Sequence, residues 1–415
     1  MQSLSPQTHP GNESPLQLHA ELLPNIRQLT LCISIPPTTP STDLTISLSV
    51  SRRSVSVSLL NDEPVTLKLP ARVNQASRRI LQLHPTTFSQ AQPNAEQGQY
   101  SFPLQLDETE NDNAALLKID GALDGFVPWT ATDMSSDTRL RCLGCGTGVL
   151  DEGKVWKDLP SGNWAEMMDF WHCHKPDPPA GAGEPSEDDP NALVKGYGAA
   201  NQVVAREGTV LIDVPTFLVA EGDCVGVKQI PNENTTTICC STCNTRLGVH
   251  DPIANGHRLF KSRLSASTPS PDEPPTTTWA HHPAETIIAA QLLEFVEREN
   301  VRHFVLHCNH KSGLLIWIFN PTLHYSNASS THSISPQRAM KVFFRDLSEA
   351  EIEDRLHPEP GKVSSLALEE VKLLEDEIQT FREVLMKSNR VLPVGARVFR
   401  ELNVGLVSRF ERWKY

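Results

Sequence analysis

Two short stretches of this sequence, RCLGCGTGVL and CCSTCNTRLG, each carry two cysteines separated by two residues. Two intervening residues let backbone N–H groups point at the sulfurs, and glycine permits the tight turn that follows. One such knuckle supplies two of the four ligands of a tetrahedral zinc ion, so two knuckles complete one closed site. The spacing therefore predicts a structural zinc site formed by Cys142, Cys145, Cys240 and Cys243.

The two pairs are far apart in the chain, with residues 146–239 between them. This distance exceeds that of a compact zinc ribbon, so the site is expected to join two distant hairpins. A redox function is less favoured, because neither pair opens a helix after a strand. Cys239 stays open as an alternative ligand to Cys240.

The net charge and the amino-terminal sequence argue against several classes of function. The formal net charge of −13 over 415 residues argues against a protein that binds nucleic acid directly through its phosphates. We see no secretory signal and no apolar run long enough to cross a membrane, so we expect cytoplasmic or nuclear localisation, or both. In such a compartment the nine cysteines are expected to be thiols or metal ligands rather than disulfides.

Hydrophobic periodicity and proline-rich breaks predict an α+β protein. Its amino-terminal part alternates apolar and polar residues, as in DLTISLSVSRRSVSVSLL, which predicts antiparallel β structure. The predicted regions are a β-rich domain at 1–125, a zinc-knuckle region at 126–264 with an acidic Pro/Gly loop at 176–191, a linker at 265–283, and an α+β region at 284–415.

The last region is predicted to contain two helices and a hairpin. AETIIAAQLLEFVEREN has the pattern of an amphipathic helix, and VRHFVLHC with GLLIWIFN predicts a hairpin. The following HYSNASSTHSISPQ is interpreted as a polar surface loop. A heptad stripe predicts a long amphipathic helix that ends before Pro393 and that packs on its own domain or forms a dimer. The stripe consists of Ala367, Val371, Leu374, Ile378, Phe381 and Leu385.

A third cysteine-containing motif, SGNWAEMMDFWHCHKP, has the spacing of a short helix with a Trp/Met stripe. His172 and His174 would lie about 160° apart on that helix, so they cannot share one metal ion. The motif is interpreted as a helix end at a domain border, as a partner-binding surface or as a catalytic element. The partner-binding hypothesis names Trp164, Trp171, His172, Cys173 and His174.

Cys308 is the candidate nucleophile. It ends a predicted strand, and the turn HCNHKSG adds His307, His310 and Lys311, which are residue types that favour a thiolate. The alternative is a half-buried cysteine that packs at a strand end.

The block KVWKDLPSGNWAEMMDFWHCHKPD and the two knuckles resemble the HECT-like, E2-binding ubiquitin ligase family. The similarity extends from about Trp129 to the carboxyl-terminal LPVGARVFRELNVGLVSRF. It implies binding of a ubiquitin-charged E2 and transfer of ubiquitin to a protein substrate, and it places the family's cysteine pairs on the four knuckle cysteines. A HECT enzyme carries ubiquitin on a cysteine near its carboxyl end, whereas the last cysteine here is Cys308.

Two functions follow as expectations. The first is an E2-binding ubiquitin ligase with structural zinc, in which a covalent thioester would form on Cys308 or on another cysteine outside the knuckles. The second is a non-catalytic scaffold or assembly factor for a larger complex such as the mRNA 3′-end processing machinery. In that case the partner is a processing nuclease, as the resemblance implies for some family members.

Overall fold

The structure is a computed structural model that describes residues 16–35, 44–60, 62–82, 98–107, 123–159, 203–232, 235–269, 277–358 and 368–412. Strands predominate over helices in this part of the chain, so the fold is mixed and mostly sheet. The chain forms two compact units. The first comprises Met1–Ala122 and Arg302–Arg409, and the second comprises Leu123–Val301 and Phe410–Tyr415.

The first unit contains both amino-terminal and carboxyl-terminal strands. Its amino-terminal elements are β1 (Gln17–Leu23), β2 (Gln28–Ser34), β3 (Thr45–Leu48), β4 (Ser54–Ser58), β5 (Val65–Lys68), α1 (Ser77–Gln82) and β6 (Gln99–Gln105). The second unit carries the next strands, which are β7 (Leu140–Cys142), β8 (Gly148–Leu150), β9 (Val155–Asp158), β10 (Thr209–Ile212), β11 (Thr216–Val219), β12 (Val227–Pro231), β13 (Thr236–Cys240), β14 (Arg246–Asp251), β15 (Gly256–Phe260), β16 (Leu264–Pro269) and β17 (Thr277–Ala280).

One helix, α2 (Ala284–Glu299), follows these strands in the described part of the second unit. The remaining elements belong to the first unit. They are β18 (His303–Cys308), β19 (Ser312–Ser329), β20 (Ser333–Ser348), α3 (Glu349–Leu356), β21 (Leu368–Lys372), α4 (Glu375–Val391), β22 (Val398–Phe399) and β23 (Leu402–Ser408).

One sheet of nine strands joins the two ends of the chain within the first unit. Its main path runs β22-β23-β20-β19-β1-β2-β6, and β18 pairs with both β19 and β21. The long strand β19 pairs with β18 through residues 312–317 and with β1 through residues 324–329. The sequence predicted 1–125 and 284–415 as separate regions. Strands from both regions therefore share one sheet.

The first unit is stabilised by apolar burial between β-sheets. β3, β4 and β5 form a small antiparallel sheet whose inward residues share one hydrophobic cluster with those of β1, β2 and β6. Fully buried members include Leu29, Phe102 and Leu67. The predicted amino-terminal antiparallel β structure is confirmed.

The predicted hairpin of the last region is confirmed as β18 and β19, and the predicted first helix as α2. The heptad prediction was partly wrong. Val371 lies in strand β21, which runs parallel to β18, and the helix begins only at Glu375. α4 packs against β23, where Gly405 leaves room for the side chain of Leu385. The helix does end before Pro393, as predicted.

The described strands of the second unit form two sheets. Seven strands run in the order β12-β13-β14-β15-β11-β10-β9, and four run in the order β17-β16-β7-β8. Trp129, Trp156, Phe217 and the knuckle residues Cys142 and Cys240 belong to one buried cluster between them.

The described residues of the segment 265–283, which was predicted to be a linker, lie mostly in strands. β16 and β17 lie within or beside it and pair antiparallel from Ala266 with Ala280 to Pro269 with Thr277. Leu264 and Ala266 are buried in the cluster of the second unit. Proline and threonine content suggested a linker, but β16 also pairs with β7, and this long-range pairing overrides local composition.

Lys261 is fully buried in the second unit. Its Nζ donates to the carbonyl oxygens of Pro128 at 2.9 Å and Trp129 at 3.2 Å, and burial lowers the pKa of this lysine to about 7. Trp129 has φ 57°, an unfavourable backbone conformation for a bulky residue. The lysine thus anchors a strained peptide segment beside Phe217.

Candidate metal centre

The two knuckles have nearly the same backbone. Cys142 ends β7 and its N–H donates to Thr147 O at 2.8 Å, while Cys240 ends β13 and its N–H donates to Thr245 O at 2.9 Å. The residue after each second cysteine is left-handed, with φ 76° at Gly146 and φ 62° at Asn244. Glycine adopts this conformation freely and asparagine tolerates it, so both turns close tightly.

The structure brings together the four predicted cysteines, so that their sulfurs all lie within 4.8 Å of one another. Across the two knuckles, Cys142 Sγ lies 3.6 Å from Cys243 Sγ, and Cys145 Sγ lies 3.5 Å from Cys240 Sγ. Four sulfurs at about 2.3 Å from one ion would be spaced about 3.8 Å apart. All four are free thiols, and these separations are far longer than a disulfide bond. The arrangement is therefore positioned to bind a metal ion.

Cys240, rather than Cys239, belongs to this group. Successive residues of a strand point to opposite faces, so only one of the two can face the other knuckle. Cys239 is buried on the opposite side of β13. The alternative left open by the sequence is decided by the register of this strand.

Burial and hydrogen bonds shift the pKa values of the knuckle cysteines in opposite directions. Burial raises the pKa of Cys142 to about 12, although the amides of Cys145 and Gly144 donate to its sulfur. The Thr245 hydroxyl, with the Thr245 amide, lowers the pKa of Cys243 to about 6. Four neighbouring thiols cannot all ionise unaided, because their negative charges repel. A divalent cation would supply the charge that allows all four to be thiolates.

Two threonines beside the sulfurs were missed on sequence. Thr147 Oγ1 lies 3.1 Å from Cys145 Sγ, and Thr245 Oγ1 lies 3.1 Å from Cys243 Sγ. The signal was present, because both stretches read Cys-x-x-Cys-x-Thr. A hydroxyl that donates its hydrogen to such a sulfur orients the metal ligand and tunes its basicity.

Cys308 lies in the first unit, at the end of β18 opposite Ser312, and is half-buried. The turn after it is tight, with φ 49° at Asn309 and φ 61° at His310. Lys311 N–H donates back to Cys308 O at 3.2 Å. The hairpin thus places this cysteine at a strand end, as both sequence interpretations expected.

His307, His310 and Glu370 form a second group with atoms close enough to share an ion. Both ring nitrogens of His307 are already engaged, however. Nδ1 accepts from His310 N–H at 3.1 Å, and Nε2 donates to Glu370 Oε1 at 2.8 Å. Burial raises the pKa of Glu370, but the bonds from His307 and Lys372 outweigh it and lower the value. The group is accounted for as a hydrogen-bonded network that supports the turn.

The proposed partner-binding residues lie outside the described residues, as does the acidic loop 176–191. They are Trp164, Trp171, His172, Cys173 and His174. Their predicted helix and function stay predictions. Among the described residues, none of the helices has the length and apolarity required to cross a membrane.

A protein-family model described as HECT-like ubiquitin-conjugating enzyme (E2)-binding matches residues 21–404. The match extends over most of the chain and includes both cysteine knuckles. This chain belongs to the HECT-like, E2-binding family. The family predicted from the Trp/His/Cys block and the knuckles is thereby confirmed.

Two fungal proteins are similar to this HECT-like chain. An uncharacterized protein of Schizosaccharomyces pombe is 29% identical over 298 residues, which cover 69% of this chain and 78% of that protein. An uncharacterized protein of Saccharomyces cerevisiae is 25% identical over 284 residues, which cover 68% of this chain and 72% of that protein. No solved structure matches the chain.

Proposed function

We propose that this protein binds a ubiquitin-charged E2 and acts as a ubiquitin ligase toward protein substrates. The family match over residues 21–404 carries the proposal, because it includes strands of both compact units. An E2-binding protein meets the activated thioester that a ligase uses. E2, ubiquitin and a protein substrate are therefore the proposed partners.

The metal proposed for the four-cysteine site is zinc. Four thiolate donors in tetrahedral reach suit Zn²⁺, which has no geometric preference of its own beyond four-fold coordination. Four protein ligands leave no open coordination position, so the ion would hold the fold and would not activate water or substrate. The residues that hold it would be Cys142, Cys145, Cys240 and Cys243.

Cys308 is the proposed ubiquitin acceptor among the described cysteines outside this site. Burial raises the pKa of Cys32 to about 11 and of Cys224 to about 12, so both are protonated near neutrality. Cys239 is buried. Cys308 is half-buried, as are Cys32 and Cys224, but it lies at the turn of a hairpin, and this position favours attack on a bulky thioester.

The covalent route has two balanced steps. The Cys308 thiolate attacks the E2–ubiquitin thioester carbonyl, and the E2 thiolate leaves. A substrate amine then attacks the new thioester, loses its proton, and releases Cys308 as thiolate. In the competing route the amine attacks the E2 thioester directly while this protein only orients the E2.

A single-turnover discharge assay separates the routes. A panel of ubiquitin-charged E2 enzymes is mixed with wild type, Cys308→Ala, or Cys224→Ala as the matched control, and discharge to free lysine is followed. Discharge lost only in Cys308→Ala, with a reductant-sensitive ubiquitin adduct on wild type, supports the thioester. Discharge retained in all three supports orientation of the E2 without a covalent intermediate.

Absence of discharge with every E2 overturns the ligase proposal. The result would favour the non-catalytic assembly factor, and stable co-elution with an E2 would then show whether binding alone persists. Zinc content is measured on the same preparations, since a misfolded second unit would otherwise imitate an inactive enzyme.

A further inference from the structure

The two knuckles differ at the position immediately before the second cysteine. Gly144 occupies it in the first knuckle and Thr242 in the second. The threonines that follow, Thr147 and Thr245, are equivalent, and each hydroxyl lies 3.1 Å from the sulfur of its own knuckle. The near-symmetry makes any difference between these hydroxyls attributable to their surroundings.

The Thr147 hydroxyl has a second partner besides its own sulfur. It donates to Thr242 Oγ1 at 2.9 Å. A hydroxyl carries a single hydrogen, and a metal-bound thiolate can only accept. While this bond persists, the Cys145 thiolate does not receive the hydrogen of Thr147.

At the position that corresponds to Thr242, the Thr245 hydroxyl faces Gly144. A Cβ atom on Gly144 would lie 3.1 Å from Thr245 Oγ1, so the hydroxyl lies against a bare α-carbon. Position 144 therefore offers no side-chain acceptor that competes for the hydrogen. The Thr245 hydroxyl is left to donate to Cys243 at 3.1 Å.

We propose that Thr245 is a positioning residue that retains Cys243 as a metal ligand, and that Thr242 leaves Cys145 as the ligand released first. Cys145 and Cys243 are both exposed, so they differ in their hydrogen bonds. A donated hydrogen bond disperses thiolate charge and restrains the sulfur of Cys243, whereas Cys145 lacks this restraint. This inference rests on the proposed zinc at the site. It adds that the ion is held unevenly, more firmly by the second knuckle.

Zinc transfer from the full-length protein to an excess of a coloured chelator tests this asymmetry. Thr245→Val is expected to release zinc about tenfold faster than wild type. Thr147→Val is the matched control and is expected to stay close to the wild-type rate, because its hydrogen serves Thr242. Equal acceleration in both variants would overturn the proposal.

Thr242→Ala gives an opposite expectation. The side chain of Thr242 is exposed, and its loss frees the Thr147 hydroxyl to donate to Cys145, so zinc release should slow. Thr245→Ser keeps the hydroxyl and should release zinc at the wild-type rate. If Thr245→Val fails to fold, Thr242→Ala and Thr245→Ser together test the proposal. Unchanged release in Thr242→Ala contradicts the inference. A wild type without zinc contradicts the metal proposal itself, which distinguishes the two failures.

Discussion

The two compact units are expected to reach stability by different means. In the first unit, β19 and β20 are 18 and 16 residues long, and a large apolar cluster lies between sheets. In the second, the knuckle strands β7 and β8 have only 3 residues each. Short strands bury little area per element, so four sulfurs from two sheets are expected to supply much of the stability there. Metal removal and core truncation are therefore expected to destabilise different units.

Loss of the metal is expected to have the largest effect. Cys142→Ser removes one of the four proposed ligands, and structural zinc contributes on the order of 10 kcal/mol to the folding of small metal-bound domains. Hydrogen exchange should show loss of protection in β7, β8, β13 and β14, with β19 and β20 still protected. Cys224→Ser, a cysteine outside the site, should leave protection and zinc content unchanged.

Retained zinc and unchanged protection in Cys142→Ser would remove the proposed distinction. Loss of protection in both units at once would show that they do not differ in this way. A chelator added to wild type should reproduce the pattern of the variant.

Truncation of the first unit's core ranks second. Phe381, on α4, is fully buried, so Phe381→Ala should lower the free energy of unfolding by about 3–5 kcal/mol, from lost burial and the cavity left behind. Urea unfolding measures the loss, and zinc content should not change. The neighbouring Arg382→Ala is the control, because its ion pair with Asp346 is exposed and contributes at most about 1 kcal/mol. A similar loss in both variants would contradict the buried role of Phe381.

The buried lysine of the second unit predicts a smaller, pH-dependent effect. The pKa of Lys261 is about 7 when folded and 10.5 in its ordinary state. Between these values the unfolded chain binds one proton more, so the free energy of unfolding rises with pH, by about 1.4 kcal/mol per unit at most. This contribution is complete above the unfolded value and is lost as pH falls through the folded one.

Comparison with Lys261→Met isolates the lysine from cysteines that titrate nearby. Stability of wild type relative to this variant should climb by about 2 kcal/mol between roughly pH 7 and pH 8.5. Thermal unfolding at several pH values measures it. A flat or falling difference would show that the lysine stays charged inside the fold.

Elements with a strong local signal were predicted well. The spacing of the hairpin residues and of the helix 284–299 carried their structure. HYSNAS, in contrast, was interpreted as part of a polar loop but lies in strand β19. Its Asn327 is fully buried, and Nδ2 donates to Val391 O at 2.8 Å. Pairing with β1, more than 300 residues earlier, satisfies the polar groups that looked like surface residues.

The prediction of where α4 begins was wrong for the same reason. Leu374 and Val371 continue the heptad spacing, but β18 offers parallel hydrogen bonds to β21 and the helix begins after them. Local periodicity describes one segment, whereas sheet pairing depends on which strand edge is available in space. The sequence carries no direct sign of that edge.

By itself, the sequence determined the spacing of the cysteine pairs, the alternation of the amino-terminal strands and the family. Ligand spacing and strand periodicity each depend on a few adjacent residues, so they can be recognised without the fold. Tertiary structure alone decided that Cys240 faces the other knuckle, that the chain ends share a sheet, and that Thr147 and Thr245 meet different neighbours. Each of these depends on groups brought within hydrogen-bonding distance from distant positions, and such distances are set only when the chain folds.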